Sequence, residues 1–442
     1  MSEQKRDRLA LRRLGRDLLI NGSLVLLAVL LALVLAELLV RTTFPAPPPV
    51  ASAFSYRIPD PVLGWRLEPG ARIQNENWEF SVPVEINTQG WRDAEHQIAK
   101  PAGTYRVLVF GDSFMEAYSV RLEDTFAQQL QLLLSRAPEL RGKRVEVINL
   151  GVGGYGTLQE YLAYTEYGQQ YDPDLVLVGF YVANDLADND HDLSARLYGG
   201  SKVDGRPFLL PLDQGAWTVS PPDYATAEAE YAHYQAQLPD DVGRWWVTLA
   251  VARAAAEGRD PRWYERTALG GVVSLAALGA SQGEQVDRAA AVPGFDRRAW
   301  LGVNACAPLP EYERAWGATE RILVRFAADV QAAGAQFVVF SVPAYHEADG
   351  EFQAAVLNST PDAASYCLDS VPGYQRLAAV LAADGVPYVD LLPAFRETIE
   401  GDAPLFRVSD YHWNPEGHAL AARTVYAALA ADGLLSPAQP GN

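Results

Sequence analysis

The chain has 442 residues, of which 49% are hydrophobic and 21% charged. These proportions are typical of globular proteins and exclude wholesale disorder, collagen-like repeats and coiled coils, while the length allows two or three domains. The 55 acidic residues against 36 basic residues give a formal net charge of −19. Because so acidic a surface repels phosphate backbones, we do not expect nucleic acid as a partner.

The first 40 residues have the pattern of a membrane anchor. Residues 1–17 carry six basic and three acidic side chains and are predicted to be a cytoplasmic stub. Residues 18–40 are apolar at all but four positions, and as a helix they would span roughly 35 Å, enough to cross a bilayer. The basic flank places residues 41 onward outside the cytoplasm, in the periplasm or at the cell exterior. A cleaved signal peptide is the alternative, but its apolar region is shorter, about 7 to 15 residues.

Two segments follow before the main fold. Residues 41–53 contain four prolines and are predicted to be a stiff linker. Residues 54–104 show short alternating stretches broken by glycine, which predicts a small β-rich subdomain.

From residue 105 to about 435 the pattern alternates between short apolar runs and longer helical stretches. The alternation predicts a three-layer α/β/α sandwich with about five parallel strands, whose ligand site lies outside the carboxyl ends of the strands. The predicted strands are 106–110, 145–150, 175–180, 336–342 and 387–391, and the predicted helices are 123–137, 156–169, 311–333, 373–384 and 415–433. An insertion at about 186–310 is either a lid or substrate-binding elaboration, or a cover for one edge of the sheet. It carries the tryptophans 217, 245, 246, 263 and 300.

Polar and glycine residues cluster at the ends of these strands. Ser113 follows the first strand, the glycine-rich turn 149–157 the second, and Asn184 the third, while Asp410 and His412 precede the last helix. Singly these signals are weak, because a serine at a helix start is usually an N-cap. The glycines also do not fit the dinucleotide-binding pattern. Together they supply a nucleophile, a base, an orienting carboxylate and donors for an oxyanion.

In this order the four segments resemble the sequence blocks of the SGNH, or GDSL-type, hydrolase superfamily, whose fold is flavodoxin-like. The resemblance implies a catalytic triad of Ser113, His412 and Asp410. It also implies an oxyanion hole formed by the backbone of Ser113, by Gly154 and by the Asn184 amide, with Gly153 as the other register for the glycine. The third block lacks the usual glycine two residues before its asparagine, and the last block is Asp-x-His rather than Asp-x-x-His. That shorter form is similar to membrane-associated SGNH-like proteins of bacterial polysaccharide O-acetylation.

Other residues near the predicted site allow alternative roles. His418 is a rival to His412 as the base, and Asp112 is expected to be structural. The acidic residues 185–192 could offer oxygen ligands to a hard cation, but solvated acidic loops are commoner, and we predict no metal and no cofactor. Cys306 and Cys367 would lie where disulfides persist, and a bridge between them would close a loop of about 60 residues, worth about 4 kcal/mol.

The resulting hypothesis is a membrane-anchored extracytoplasmic serine esterase that removes acyl groups, acetyl foremost, from a cell-envelope glycan. The alternative is an O-acyltransferase that uses the same triad on an extracytoplasmic polysaccharide, with a multi-pass membrane protein as acyl donor. A third reading is a non-catalytic envelope protein that binds glycan through the tryptophan-bearing insertion. The chemistry of an acyl-enzyme does not separate the first two.

Overall fold

The structure is a computed structural model that describes residues 20–39, 56–76, 79–198, 205–211, 217–223, 225, 301–358, 360–401, 403–408 and 410–435. The predicted stub and linker, and most of the predicted insertion with Trp245, Trp246, Trp263 and Trp300, lie outside the described residues. The chain divides into two compact units, of which the first contains one described helix and the second all other described elements. We describe each unit by itself.

The described helix of the first unit is α1, Ile20–Leu39. Its 20 residues have a mean hydropathy of 2.6, so it is long and apolar enough to cross a membrane by length and composition. An N-terminal signal sequence would meet the same description.

The second unit contains eleven described strands, four of which form the two N-terminal hairpins. The strands are β1 (Arg57–Asp60), β2 (Gly64–Leu67), β3 (Arg72–Glu76), β4 (Ser81–Glu85), β5 (Thr104–Gly111), β6 (Arg144–Asn149), β7 (Leu175–Tyr181), β8 (Phe208–Pro211), β9 (Trp217–Ser220), β10 (Gln336–Val342) and β11 (Tyr388–Val389).

A five-stranded parallel sheet forms the centre of this unit, in the order β11-β10-β7-β5-β6. Every residue of β5 and β7 is buried, which explains their nearly continuous apolar sequences, since helices cover both faces. The predicted fold class is confirmed. The edge strand β11 is shorter than predicted. Directly after it the Asp390 carboxylate accepts a hydrogen bond from the Leu392 amide, which turns the chain out of the sheet.

The helices of the second unit range from single turns to 23 residues. They are α2 (Ser113–Glu116), α3 (Phe126–Leu134), α4 (Thr157–Ala163), α5 (Asp185–Asp188), α6 (His191–Tyr198), α7 (Pro310–Ala332), α8 (Tyr345–Ala348), α9 (Gly350–Asn358), α10 (Pro372–Ala383), α11 (Leu392–Glu400) and α12 (Pro415–Ala431). Helix α12 packs against α3 and α11, and α3 packs against β6. Helix α7 packs against α4 and α10, and it also packs against β10.

Two differences from the predicted helices have local causes. The predicted helix 156–169 ends early as α4 and continues in a π-helical turn, Tyr164–Gly168. Helix α11 was not predicted, although Pro393 stands in its first turn, where proline suits a helix start.

The N-terminal hairpins share the core of the sheet. Tyr56, Leu63, Leu67 and Trp91 are buried in the same hydrophobic cluster as the central strands. The predicted β-rich segment therefore packs onto the α/β body, and its own buried side chains make the contact.

A disulfide joins Cys306 to Cys367. Two backbone hydrogen bonds flank it, from the amide of Cys306 to the carbonyl of Ser365 and from the amide of Cys367 to the carbonyl of Asn304, each 2.8 Å long. The bridge thus ties the segment before α7 to the segment before α10.

Candidate active site

The nucleophile predicted from the sequence lies on a tight turn at the carboxyl end of a central strand. Strand β5 ends at Gly111, and Ser113 begins the single-turn helix α2. Asp112 caps this turn, because its carboxylate accepts a hydrogen bond of 2.9 Å from the Phe114 amide. That is the structural role predicted for Asp112. The Ser113 amide has no acceptor within the described residues, which leaves the amide available to a ligand.

A buried arginine holds the end of this short helix. Arg92 is 1% exposed, and its guanidinium donates hydrogen bonds of 2.9, 2.7 and 2.6 Å to the carbonyls of Glu116, Ala117 and Val120. These carbonyls lie at and just after the end of α2, where the helix no longer supplies amide partners. Arg92 therefore fixes the backbone that carries Ser113. This role was not predicted, and it follows from the turn Asn87–Arg92, where the Asn87 carboxamide accepts from the Gln89 and Trp91 amides.

His412 reaches the nucleophile directly. Its Nε2 lies 2.7 Å from the Ser113 Oγ, although 299 residues separate the two in the chain. On the other side of the ring, Nδ1 lies 3.0 Å from the Asp410 carbonyl oxygen, 3.3 Å from the Tyr118 hydroxyl and 3.5 Å from the Asp410 carboxylate. Three oxygen atoms thus favour a proton on Nδ1, which leaves Nε2 free to accept the serine proton.

The electrostatics of this pair suit a general base. Burial on its own lowers the pKa of His412, but the charge and hydrogen bonds of Asp410 outweigh it, so the pKa is raised above its usual value of 6.5. Burial would likewise raise the pKa of Asp410, yet the charge of His412 and the hydrogen bonds between them hold that pKa below its usual value. The carboxylate therefore stays ionised beside the ring and stabilises the imidazolium that forms when the base takes a proton.

The glycine-rich turn after β6 lies beside the nucleophile, since a Cβ added to Gly153 would be 3.4 Å from Cβ of Ser113. Gly154 adopts a φ of +76°, a conformation that favours glycine, and its amide has no acceptor within the described residues. The amide of Gly153, in contrast, donates a hydrogen bond of 2.6 Å to the buried Glu116 carboxylate. Of the two registers left open by the sequence, the structure therefore leaves Gly154 available as a donor to a ligand.

Asn184 lies on the same rim. It follows β7, and its side-chain amide is 3.4 Å from the carboxylate of Asp112, the residue before the nucleophile. The three predicted oxyanion donors, Ser113, Gly154 and Asn184, thus follow the carboxyl ends of three adjacent strands, β5, β6 and β7.

Several carboxylates are buried beneath this rim. Asp112, Glu116, Glu160, Asp185 and Asp188 are each at most 2% exposed. Burial raises the pKa of Asp112 to about 6, and burial together with the neighbouring carboxylates raises the pKa values of Glu160 and Asp185 well above their usual ranges. Burial among like charges therefore disfavours the ionised form of both side chains.

The acidic residues after Asn184 serve the local fold. Asp185 accepts a hydrogen bond from the Tyr181 amide, Asp188 forms a salt bridge of 3.2 Å with Arg206, and Asp190 accepts from the amides of Asp192 and Leu193. Within the described residues, no group of three or more His, Cys, Asp or Glu side chains is arranged to hold a metal ion.

The rival base lies away from the nucleophile. His418 is 1% exposed and packs edge-on against Trp413, with 5.5 Å between the ring centroids. Burial, together with the charges of Arg92 and His412, lowers its pKa to about 3. His418 is therefore a neutral core residue at pH 7, and only His412 contacts Ser113 among the described histidines.

Two arginines beside the glycine turn were not predicted. Arg57 on β1 and Arg206 before β8 stack on the ring of Trp65, with their guanidinium carbons 5.6 and 5.1 Å from its centroid. The ring nitrogen of Trp65 donates a hydrogen bond of 3.3 Å to the Gly153 carbonyl. No sequence motif marks these residues; the packing of the N-terminal hairpin brings Arg57 to the site, and the segment before β8 brings Arg206.

The fold and the site together point to one class of protein. Strands, turn and residues stand in the order of an SGNH-type protein, with the serine, the asparagine and the histidine at the carboxyl ends of a parallel sheet. Residues 298–441 match a family model described as the SGNH hydrolase-like domain of the acetyltransferase AlgX. This match and the order of the site residues support an SGNH-type assignment. The matched range contains Asp410 and His412 but not Ser113.

Solved structures show distant similarity, and no curated protein sequence matches the chain. An α/β hydrolase, LAE5, from the metagenome of Lake Arreo in Spain is 13% identical over 75% of this chain and 96% of its own, with a TM-score of 0.34. A catalytic mutant of Axe2, an acetylxylan esterase from Geobacillus stearothermophilus, is 12% identical over 74% and 94%, with a TM-score of 0.35. The acetyl xylan esterase AlAXEase is 11% identical over 73% and 99%, with a TM-score of 0.34. The superfamily assignment indicates an acyl esterase or acyltransferase type of enzyme.

Proposed function

We propose that the protein is a serine esterase that removes ester-linked acyl groups, acetyl foremost, from a cell-envelope glycan. The observation that carries the proposal is the 2.7 Å contact between Ser113 Oγ and His412 Nε2, with Asp410 beside Nδ1. A serine hydroxyl becomes an effective nucleophile when a base takes its proton in the transition state.

The reaction has two steps. The Ser113 oxygen attacks the ester carbonyl carbon, its proton passes to His412 Nε2, and the carbonyl π electrons move onto oxygen. The amides of Ser113 and Gly154 and the side chain of Asn184 stabilise that oxyanion, each donor being worth roughly 10²- to 10³-fold in rate. When the carbonyl re-forms, the sugar oxygen leaves and takes the proton from Nε2. Water then attacks the acyl-enzyme by the same route, which releases the acid and restores Ser113.

The test uses the full-length protein purified in detergent. We expect turnover of a chromogenic acetyl ester, and we expect Ser113→Ala to abolish it. A matched control is Ser135→Ala, since within the described residues the Ser135 hydroxyl bonds only to the Gln131 carbonyl at the end of α3. Equal turnover by the wild type and Ser113→Ala would refute the proposal. Failure of a phosphonate to label Ser113 would favour the non-catalytic glycan-binding alternative.

The second candidate is an O-acyltransferase, in which a sugar hydroxyl replaces water in the second step. The match of residues 298–441 to a domain of an acetyltransferase favours it. Incubation with an activated acetyl ester and an oligosaccharide acceptor separates the two, because mass spectrometry distinguishes acetylated sugar from free acetate. A transferase would also need a donor, for which we propose a multi-pass membrane protein. Acetate as the sole product across acceptors would exclude transfer.

We further propose that α1 anchors the protein and that the catalytic unit lies outside the cytoplasm. The net positive charge of residues 1–17 and the apolar run 18–40 support this orientation, and the bond between Cys306 and Cys367 suits an oxidising compartment. Protease added to intact spheroplasts should remove the catalytic unit and leave a membrane-bound stub. Protection of the catalytic unit would overturn the orientation.

A further inference from the structure

The N-terminal hairpin reaches into the candidate active site. A Cβ atom added to Gly153 would lie 2.5 Å from Nη2 of Arg57 and 3.4 Å from Cβ of Ser113. A Cβ added to Gly154 would lie 3.6 Å from Nη1 of Arg57. The Arg57 guanidinium therefore covers Gly153 on the side of the nucleophile and also lies beside Gly154.

From this geometry we infer that Arg57 is a catalytic residue that stabilises the oxyanion of the acyl-transfer step. The inference rests on the proposed function. The carbonyl oxygen of the substrate must lie within hydrogen-bond reach of the Gly154 and Ser113 amides. A cation beside those amides favours the negative charge that develops on this oxygen. The absence of side chains at Gly153 and Gly154 leaves the space that the guanidinium occupies.

Burial strengthens the effect. Arg57 is 8% exposed, and in a site with little water a charge acts on its surroundings more strongly than it does in solvent. The guanidinium is also held in place before the reaction, since it stacks on Trp65, whose backbone carbonyl accepts a hydrogen bond of 2.6 Å from the Tyr155 hydroxyl. A preorganised charge needs no reorientation during the reaction.

The Glu116 carboxylate lies beside the guanidinium, since the same Cβ on Gly153 would be 2.9 Å from its Oε2. Glu116 accepts hydrogen bonds from the Tyr56 hydroxyl and from the Gly153 amide. Tyr56 directly precedes the first hairpin strand, and Gly153 lies in the glycine-rich turn, so Glu116 joins these two segments. The pairing positions Arg57, which follows Tyr56 in the chain.

The experiment measures kcat and KM for a neutral substrate, 4-nitrophenyl acetate, with the full-length protein. We expect Arg57→Gln to lower kcat about 10- to 100-fold, which is less than the loss of a direct oxyanion donor, while KM stays within about two-fold. Arg57→Lys keeps the charge and should recover most of kcat. The control is Arg72→Gln, since Arg72 lies on the next hairpin with its side chain 77% exposed.

The outcomes separate the two proposals. An inactive wild type would refute the proposed function and this inference with it. An active wild type with a folded Arg57→Gln variant of unchanged kcat would refute the inference alone, as would a loss confined to KM. If Arg57→Gln fails to fold, the lysine variant decides. A folded Arg57→Lys variant with no more activity than Ser113→Ala would refute a role for the positive charge and with it the inference.

Discussion

Replacement of Asp410 by asparagine tests how the candidate base is tuned. The carboxylate lies 3.5 Å from Nδ1 of His412, and the two side chains are 19% and 17% exposed. Two unit charges at that separation interact by about 5 kcal/mol at an effective dielectric constant of about 20. Water at the partly open site recovers some of this energy, so we expect Asp410→Asn to lower kcat by roughly 10²- to 10³-fold.

The same substitution should move the acid limb of the pH profile. Activity requires neutral His412, so it falls as the pH drops through the His412 pKa, which the structure raises above 6.5. Without the Asp410 charge, burial is opposed only by the Asp112 charge and the Asp410 backbone hydrogen bond among the causes that act on this pKa, so the His412 pKa falls and the acid limb of kcat/KM shifts to lower pH. The tautomer is expected to persist, because the Asp410 carbonyl oxygen, 3.0 Å from Nδ1, remains in the variant.

The assay is kcat/KM for a chromogenic acetyl ester between about pH 5 and 9, with Asp384→Asn as a control at an exposed position after α10. An acid limb at the same pH in wild type and Asp410→Asn would refute the electrostatic coupling. A fall in kcat of less than about five-fold in Asp410→Asn would refute the expected size of the effect.

Two further predictions concern a neighbouring hydroxyl and the disulfide. Tyr118→Phe removes the oxygen 3.3 Å from Nδ1 of His412, so we expect kcat to fall roughly 2- to 10-fold, as for one hydrogen bond; an unchanged kcat would contradict a positioning role for Tyr118. Cys306→Ala combined with Cys367→Ala opens a loop of sequence separation 61, so the free energy of unfolding should fall by about 4 kcal/mol. Urea unfolding measures this loss, and a loss below about 1 kcal/mol would contradict it.

The central fold was predictable because its residues obey one simple constraint. Strands β5 and β7 are covered on both faces, so every position favours an apolar side chain and the runs are visible in the sequence. The positions of Ser113 and Asn184 follow from the same sheet, since the carboxyl ends of parallel strands meet at one edge. Asp410 and His412 lie beyond β11 and α11, so the resemblance to the SGNH blocks, rather than the sheet alone, implied their pairing with Ser113.

The residues that surround this pair were not predictable, because their roles depend on contacts between segments far apart in sequence. Arg57 lies on a four-residue strand without any motif, and only the packing of its hairpin brings it to Gly153. Arg92 lies in the turn Asn87–Arg92, and its role depends on the carbonyls of Glu116 and Ala117, which are contributed by a different segment. Tyr118 gave no signal at all.

The buried carboxylates lead to a last prediction, on stability rather than activity. Glu160 is fully buried on α4, and neither of its carboxylate oxygens has a hydrogen-bond partner within the described residues. Burial, followed by the charges of Asp112 and Asp188, raises its pKa well above 4.5. Above pH 4.5 the folded protein therefore keeps a proton that the unfolded chain has lost, so this group reduces stability as the pH rises.

Glu160→Gln removes that proton equilibrium while keeping the size of the side chain. The free energy of unfolding of the variant, relative to wild type, should therefore increase with pH by up to about 1.4 kcal/mol per pH unit until the folded pKa is reached. Urea unfolding at about pH 5, 7 and 9 measures the difference. Glu166→Gln, at an exposed position on the following π-helical turn, should show none. A constant difference between Glu160→Gln and wild type across this range would mean that Glu160 is ionised in the folded protein, with a countercharge beneath the catalytic turn.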